Sequence, residues 1–180
     1  MIYFVRHGQT DCNLNQIIAG QQDVCLNEHG LEQAKQTALS LRDVEFDACF
    51  CSPLMRAKQT CEQILAYHPN IVPVYDERLK ARYYGKMENQ PSSAITFNRW
   101  LVGADDEQTK ALQMETIMEL YQRVADFFDD VLQAYPQKNI LVVGHSCIGR
   151  AVAGYFNGLP PENDFSTLKI PNAKVVVFDK

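Results

Sequence analysis

No stretch of this chain approaches the ~20 consecutive apolar residues of a membrane span. The opening run Met1-Ile2-Tyr3-Phe4-Val5 is too short for a signal-peptide core, so a cytosolic setting is expected. Basic charge is not in excess either. With 17 lysines and arginines against 22 acidic residues, the net charge is -5 and the pI near 5.3, which argues against a nucleic-acid binder with a basic face. A local basic pocket is still allowed. The six cysteines lack the usual zinc spacing. Cys49 and Cys51 are one residue apart rather than two, with no histidine nearby in sequence, and are read as strand packing. Together with Cys12, Cys25, Cys61 and Cys147 they are expected to be reduced thiols. There is no internal repeat and no low-complexity segment.

What is present is an ordinary globular composition, 180 residues at 46% hydrophobic, enough for one well-buried core and read as a single domain over 1–180. Strand and helix patterns alternate. Strands are expected over 1–5, 47–51, 71–75, 139–143 and 174–178, and helices over about 29–42, 53–67, 115–134 and 147–157. That alternation implies an α/β fold of three layers, a mainly parallel central sheet with helices on both faces. The pattern weakens over about 86–114, which reads as an insertion that closes over substrate. Within it Gly103-Ala104-Asp105-Asp106-Glu107-Gln108 is expected as an exposed loop, and Trp100 with Phe97 and Leu101 as an apolar foot. In open sheets of this kind, ligands bind at the carboxyl ends of the strands.

Two histidines are delivered to that edge. Arg6-His7-Gly8-Gln9-Thr10 follows the first strand, and Gly144-His145-Ser146 follows Ile140-Leu141-Val142-Val143. A neutral imidazole can take a phosphoryl group from an ester if cations hold the phosphoryl oxygens. Arg6 and Arg56 are the candidates for that hold. In Ser52-Pro53-Leu54-Met55-Arg56, Ser52 reads as an N-cap and Pro53 as the first helical residue, which places Arg56 near the first turn. Asn13 has an amide suited to a phosphate oxygen. Ser146 is read as opening a helix whose backbone N–H groups face an anion. Arg150, about one turn further on, fits either the helix surface or a supporting role. His29 and His68 have no comparable surroundings. Glycine at 148 would be needed for a nucleophile elbow around Ser146; Ile148 stands there, and all four histidines precede the serine, so a serine hydrolase is rejected.

Taken in order, these segments resemble the histidine phosphatase superfamily, the phosphoglycerate mutase-like enzymes. The likeness rests on Arg6-His7-Gly8-x-Thr10 with Asn13 and Ala19-Gly20, Gly30 with Gln33-Ala34, Ser52-Pro53-Leu54-x-Arg56-Ala57-x-Gln59-Thr60, and Leu141-Val142-Val143-x-His145 with Arg150. The resemblance implies a phosphoglycerate mutase-like fold and a phosphatase acting on a small-molecule phosphate ester. His7 would be the phosphohistidine, with Arg6, Arg56 and His145 completing the phosphate pocket. Asn13, the backbone near Gly20, Arg82 and Ser146 would be further substrate contacts. No metal or organic cofactor is required by that chemistry, and no nucleic-acid or membrane partner is expected.

The chain departs from the family's pattern at the proton donor. Ala81, in Lys80-Ala81-Arg82-Tyr83-Tyr84-Gly85, occupies the place of the usual glutamate, and Ser146 stands where another branch has an acid after the second histidine. A positioned general acid contributes ~10²- to 10⁴-fold, so the expectation is a phosphatase with impaired acid catalysis, Ala81 being a natural loss or an introduced change. Glu77, Glu88 and Glu115 are the candidate substitutes. Met87, Asn89 and Met114 also differ from the family's usual Trp, Gly and Gly, and bear on substrate identity. The alternatives are a mutase that passes the phosphoryl group to a second hydroxyl, and a non-catalytic protein that binds phosphate esters. Lys80, Arg82 and Lys86 suggest positive charge at the mouth, suited to a substrate with a second anionic group.

Overall fold

The computed structural model describes residues 1–103 and 106–179. Five strands, β1 (Ile2–Arg6), β2 (Ala48–Cys51), β3 (Pro73–Tyr75), β4 (Ile140–Gly144) and β5 (Val175–Phe178), form one sheet in the order β3-β2-β4-β1-β5. The first four run parallel and β5 pairs antiparallel with β1. The central strand β4 is apolar on both faces, Ile140 to Val143 all being fully buried, as expected of a strand covered by helices on both sides.

The helices are α1 (Asp11–Leu14), α2 (Glu28–Leu41), α3 (Met55–Leu65), α4 (Asp106–Ala111), α5 (Ile117–Ala134) and α6 (Ser146–Asn157). The two faces of the sheet carry separate cores. Phe4, Phe50 and Val142 pack with Leu120, Val124, Phe127 and Phe128 of α5 and with Ile148 and Val152 of α6. Val5, Leu141 and Val143 on the opposite face pack with Ala38 and Leu41 of α2 and Ile64 of α3. In α5 the buried positions recur every three or four residues, and its start is fixed by a capping box in which Thr116 and Glu119 satisfy each other's backbone N–H. Cys49, Cys51 and Cys61 belong to the α2/α3 core, with the Cys49 and Cys61 sulfurs 3.5 Å apart.

Two local expectations are corrected. The third helix begins at Met55 rather than Pro53, and Ser52 is not its N-cap. The Ser52 hydroxyl is engaged instead with His145, 93 residues away. Within the segment expected as an exposed loop, Ala104 and Asp105 lie outside the described residues, while Asp106–Ala111 is helical. Its polar composition suits a one-sided surface helix, with Thr109 buried between exposed Gln108 and Lys110.

The register places the site. Arg6 pairs with Gly144 across β1 and β4. The His7 N–H donates to Gly144 O and the Ser52 N–H to Val143 O, both at 2.9 Å, so the residues leaving β1, β2 and β4 stand side by side at the carboxyl edge. Close backbone approach holds the first loop there. A Cβ on Gly30 would lie 2.0 Å from Gln9 O and one on Gly8 2.3 Å from Gly30 O, so neither position accepts a side chain.

Candidate active site

A cleft of about 890 Å³ opens at this edge, its floor formed by Arg6, His7, Arg56 and His145. The two imidazoles meet edge to face, ring centroids 5.1 Å apart. His7 Nδ1 lies 2.6 Å from Gly8 O, a carbonyl that can only accept. The proton is therefore assigned to Nδ1, which leaves the Nε2 lone pair as the available nucleophile. His145 Nε2 lies 2.7 Å from Ser52 Oγ, and that hydroxyl already accepts the Leu54 N–H. Its own proton is thus available to Nε2, and the second nitrogen, Nδ1, is buried without a partner. With its proton on Nδ1, His145 is a donor in want of an oxygen.

Burial, reinforced by the charges of Arg56 and Arg6, pushes both imidazoles well below the ordinary histidine value, so both are neutral near pH 7. Arg6 is pulled down to about 10, chiefly by burial, and is a cation at neutral pH. Its Nη1 donates to Ile170 O at 2.7 Å, while Nε is buried and unpaired. Arg56 donates to Gln22 O and Gly20 O, both at 2.7 Å, and so fixes the 20–22 loop against the cleft. Gly20 has φ +52°, and a Cβ there would run into the Glu88 carboxylate. The Asn13 amide oxygen accepts from Thr10 N–H and Asn172 Nδ2, which orients Asn13 with its NH₂ free to donate. Ser146 begins α6 and lines the cleft with Cys147 and Cys12.

Ala81 is buried and lines the same cleft. None of the three candidate carboxylates lines it. Glu77 pairs with Lys80 at 2.6 Å. Glu88 accepts the Gln21 N–H at 2.8 Å. Glu115 is gripped by Arg123 at 2.6 and 3.0 Å and accepts the Tyr83 N–H. Arg123 also donates to Ala81 O, so the Glu115–Arg123 pair braces the backbone behind position 81. No aspartate or glutamate is among the described residues of the cleft wall.

Arg82, expected as a substrate contact, is corrected. It is 1% exposed and does not line the cleft, because its guanidinium donates inward to Glu115 O and Arg99 O. Lys80 and Lys86 are also absent from the wall; Lys86 donates to Ala111 O. The positive charge comes from Arg99, Arg150 and Lys169 instead. Trp100 packs against the core as an apolar foot and also lines the cleft. Sequence reasoning missed the roles of Ser52, Asn172 and Arg99, since each depends on contacts between distant segments. Among the described residues no group of His, Cys, Asp and Glu side chains is gathered to hold a metal ion.

Two buried imidazoles thus stand between buried arginines at the carboxyl edge of a mainly parallel sheet. The chain belongs to the histidine phosphatase superfamily (branch 1), whose family model matches residues 2–179. A phosphatase of Bacillus subtilis, the uncharacterized PhoE, is 36% identical over 168 residues, spanning 89% of this chain and 79% of that protein. The 2,3-bisphosphoglycerate-dependent phosphoglycerate mutase of Enterococcus faecalis is 28% identical, with 99% of this chain and 93% of the mutase covered. Among solved structures, a phosphoserine phosphatase mutant from Entamoeba histolytica in complex with phosphoserine superposes with a TM-score of 0.82 at 21% identity, over 97% of this chain and 87% of that one. That likeness bears on the phosphoglycerate mutase-like fold alone.

Proposed function

We propose that the protein is a phosphatase that hydrolyses a small-molecule phosphate monoester through a phosphohistidine on His7, with acid catalysis weakened by Ala81. The observation that carries this reading is the His7 hydrogen-bond pattern. Nδ1–H is anchored on Gly8 O, so Nε2 faces the reaction with its lone pair free, among cations that stabilise the transferring phosphoryl oxygens. In the first step Nε2 attacks phosphorus and the ester P–O bond breaks, its electron pair leaving on the alcohol oxygen. Arg6, Arg56, Asn13 and the Nδ1–H of His145 bind the three phosphoryl oxygens. The leaving oxygen takes its proton from water, since the alanine at 81 supplies none. Water then attacks the phosphohistidine, the P–N bond breaks, and phosphate departs with His7 restored.

The 86–114 segment is proposed as the substrate-enclosing wall, because Ser92, Arg99 and Trp100 all reach the cleft. The six free cysteines suit the reducing conditions of the cytosol, the proposed location.

Phosphate release from an alkyl phosphate tests the reading, comparing the chain, Ala81→Glu, and His7→Ala as blank. A gain of roughly a hundredfold with glutamate is expected, the size of a restored general acid, and His7→Ala should be silent. Equal, His7-dependent rates in the first two would mean that another acid already serves. No release from either would favour a binding protein. Isomerisation that requires added bisphosphoglycerate would move the reading to a mutase.

A further inference from the structure

The turn leading into β5 is hydrogen-bonded to Arg6, His7, Gly8 and Asn13, along the loop that carries the proposed nucleophile. In Pro171-Asn172-Ala173-Lys174 the Lys174 N–H donates back to Pro171 O at 3.3 Å, and the chain then joins β1 as antiparallel β5. Ala173, the third residue of the turn, has φ +54°, a left-handed conformation that turns usually give to glycine or asparagine. Such backbone persists where its surroundings over-determine it. Here the Ala173 N–H donates to Arg6 O at 3.0 Å and His7 O at 3.2 Å, and its carbonyl accepts the Thr37 hydroxyl at 2.7 Å. Ile170 O, just before the turn, receives Arg6 Nη1.

The Asn172 amide is the side chain this turn presents to the site. Its nitrogen lies 3.0 Å from His7 O, 3.2 Å from Gly8 O and 3.2 Å from Asn13 Oδ1. The two carbonyls have no proton to give, and Asn13 Oδ1 is fixed as an acceptor by the Thr10 N–H. It is therefore the NH₂ of Asn172 that faces all three, its two hydrogens shared among them. Gly8 O is also the acceptor of the His7 Nδ1–H. With Asn172 on one lone pair, the other is directed to the imidazole, and the carbonyl turns away only by breaking both bonds. The peptide before it is tied from α3, where Thr60 Oγ1 accepts the Gly8 N–H at 3.1 Å. Asn172 lines the cleft half-buried, yet its hydrogens are spent on protein oxygens rather than left for substrate.

We infer that Asn172 is a positioning residue for phosphoryl transfer, acting through Gly8 O on the tautomer and aim of His7 and through Asn13 on the phosphoryl oxygens. One amide thus holds the nucleophile and a ligand of the group it attacks in a single register. The inference rests on the reading of His7 as nucleophile.

Two measurements test it on Asn172→Asp, which keeps the shape of the side chain without a hydrogen to donate, and on Asn172→Ala. The first is the single-turnover release of nitrophenolate from p-nitrophenyl phosphate. It should slow on the order of 10²-fold, the loss expected from a nucleophile misplaced by about an ångström. The substrate concentration at half-maximal rate should move far less, because Arg6, Arg56 and His145 still bind the phosphoryl group. The second is nitrogen NMR of the labelled imidazoles without substrate. His7 should be a single Nδ1–H tautomer in the unsubstituted chain and a mixture in the variants. Denaturant unfolding reports the folded fraction of each. A rate that falls only in step with that fraction, or a rate and a His7 tautomer unmoved in either folded variant, would overturn the role of Asn172 and leave the phosphatase reading standing. No His7-dependent release from the unsubstituted chain would overturn that reading and this inference together.

Discussion

The two ends of the cleft are made from different material. At the phosphate end, Arg6, His7 and His145 are carried on or just beyond β1 and β4, where ladder hydrogen bonds and buried side chains on both faces set each Cα. At the far end, Ala81, Tyr84, Arg99 and Trp100 are carried on single 3₁₀ turns and connecting loops between Glu77 and Val102. The strand-borne end carries both imidazoles and Arg6, and Arg56 joins them from the first turn of α3. The loop-borne end has cations, an indole and Ala81, with no aspartate or glutamate among the described residues of the wall. On the proposed mechanism, phosphoryl capture falls to one end of the cleft and leaving-group handling to the other.

The sharpest way to break that separation is to vary the leaving group. Without an acid at 81, esters of acidic phenols should be turned over far faster than esters of simple alcohols. Ala81→Glu should speed the alkyl esters by ~10²-fold and the aryl esters much less, because a phenolate departs without a proton. A uniform gain across a series of leaving groups, measured as kcat/KM, would show that glutamate acts on binding or packing instead.

A smaller effect is expected at Ser52. Ser52→Ala removes the partner that orients His145 and directs its proton to Nδ1. Release of phosphate should fall about tenfold, the scale of one lost hydrogen bond. The pH optimum should also change, since the imidazole is then free to bind its proton on either nitrogen. A rate loss without any change in the pH profile would assign Ser52 to packing alone.

The gentlest test uses the stability of the empty protein. His7 and His145 have folded pKa values well below 6.5, so both resist protonation in the fold and accept it on unfolding. Their neutral burial is compatible with full stability above pH ~6.5. As pH falls below that value, the unfolded chain gains protons first and stability declines, each histidine adding to the slope. Denaturant unfolding at pH 7 and pH 5 should show this loss, and it should be shallower in His7→Gln. An equal slope in the variant would mean that His7 is charged in the fold.

The strand-borne end was also the more legible in the sequence. Ile140 to Val143 is too uniformly apolar for a surface strand, and the pattern over about 115–134 reads as a helix. Both elements are present, as β4 and α5. The structure gathers His7, Arg6, Arg56 and His145 in one cleft, the first two and His145 on or just beyond β1 and β4 and Arg56 in the first turn of α3. Ser52 was misjudged because a serine before proline reads locally as a cap, whereas its hydroxyl is committed across the sheet to His145. Arg82, Arg99 and Arg150 look alike in sequence. Which of them faces the cleft is decided by the packing of Trp100 and by carbonyls at Glu115 and Phe165, a nonlocal matter that no periodicity encodes. The short 3₁₀ turns of the far wall have no repeat long enough to read.

The most direct test of the central claim is to mix the protein with a fast-leaving aryl phosphate, quench in alkali, and map the phosphorylated peptide by mass spectrometry. An acid-labile phosphoryl group on the His7 imidazole, absent in His7→Ala, is the predicted result. Phosphate release with the label on any other residue, or with no labelled residue at any time during turnover, would contradict the assignment of His7 as nucleophile.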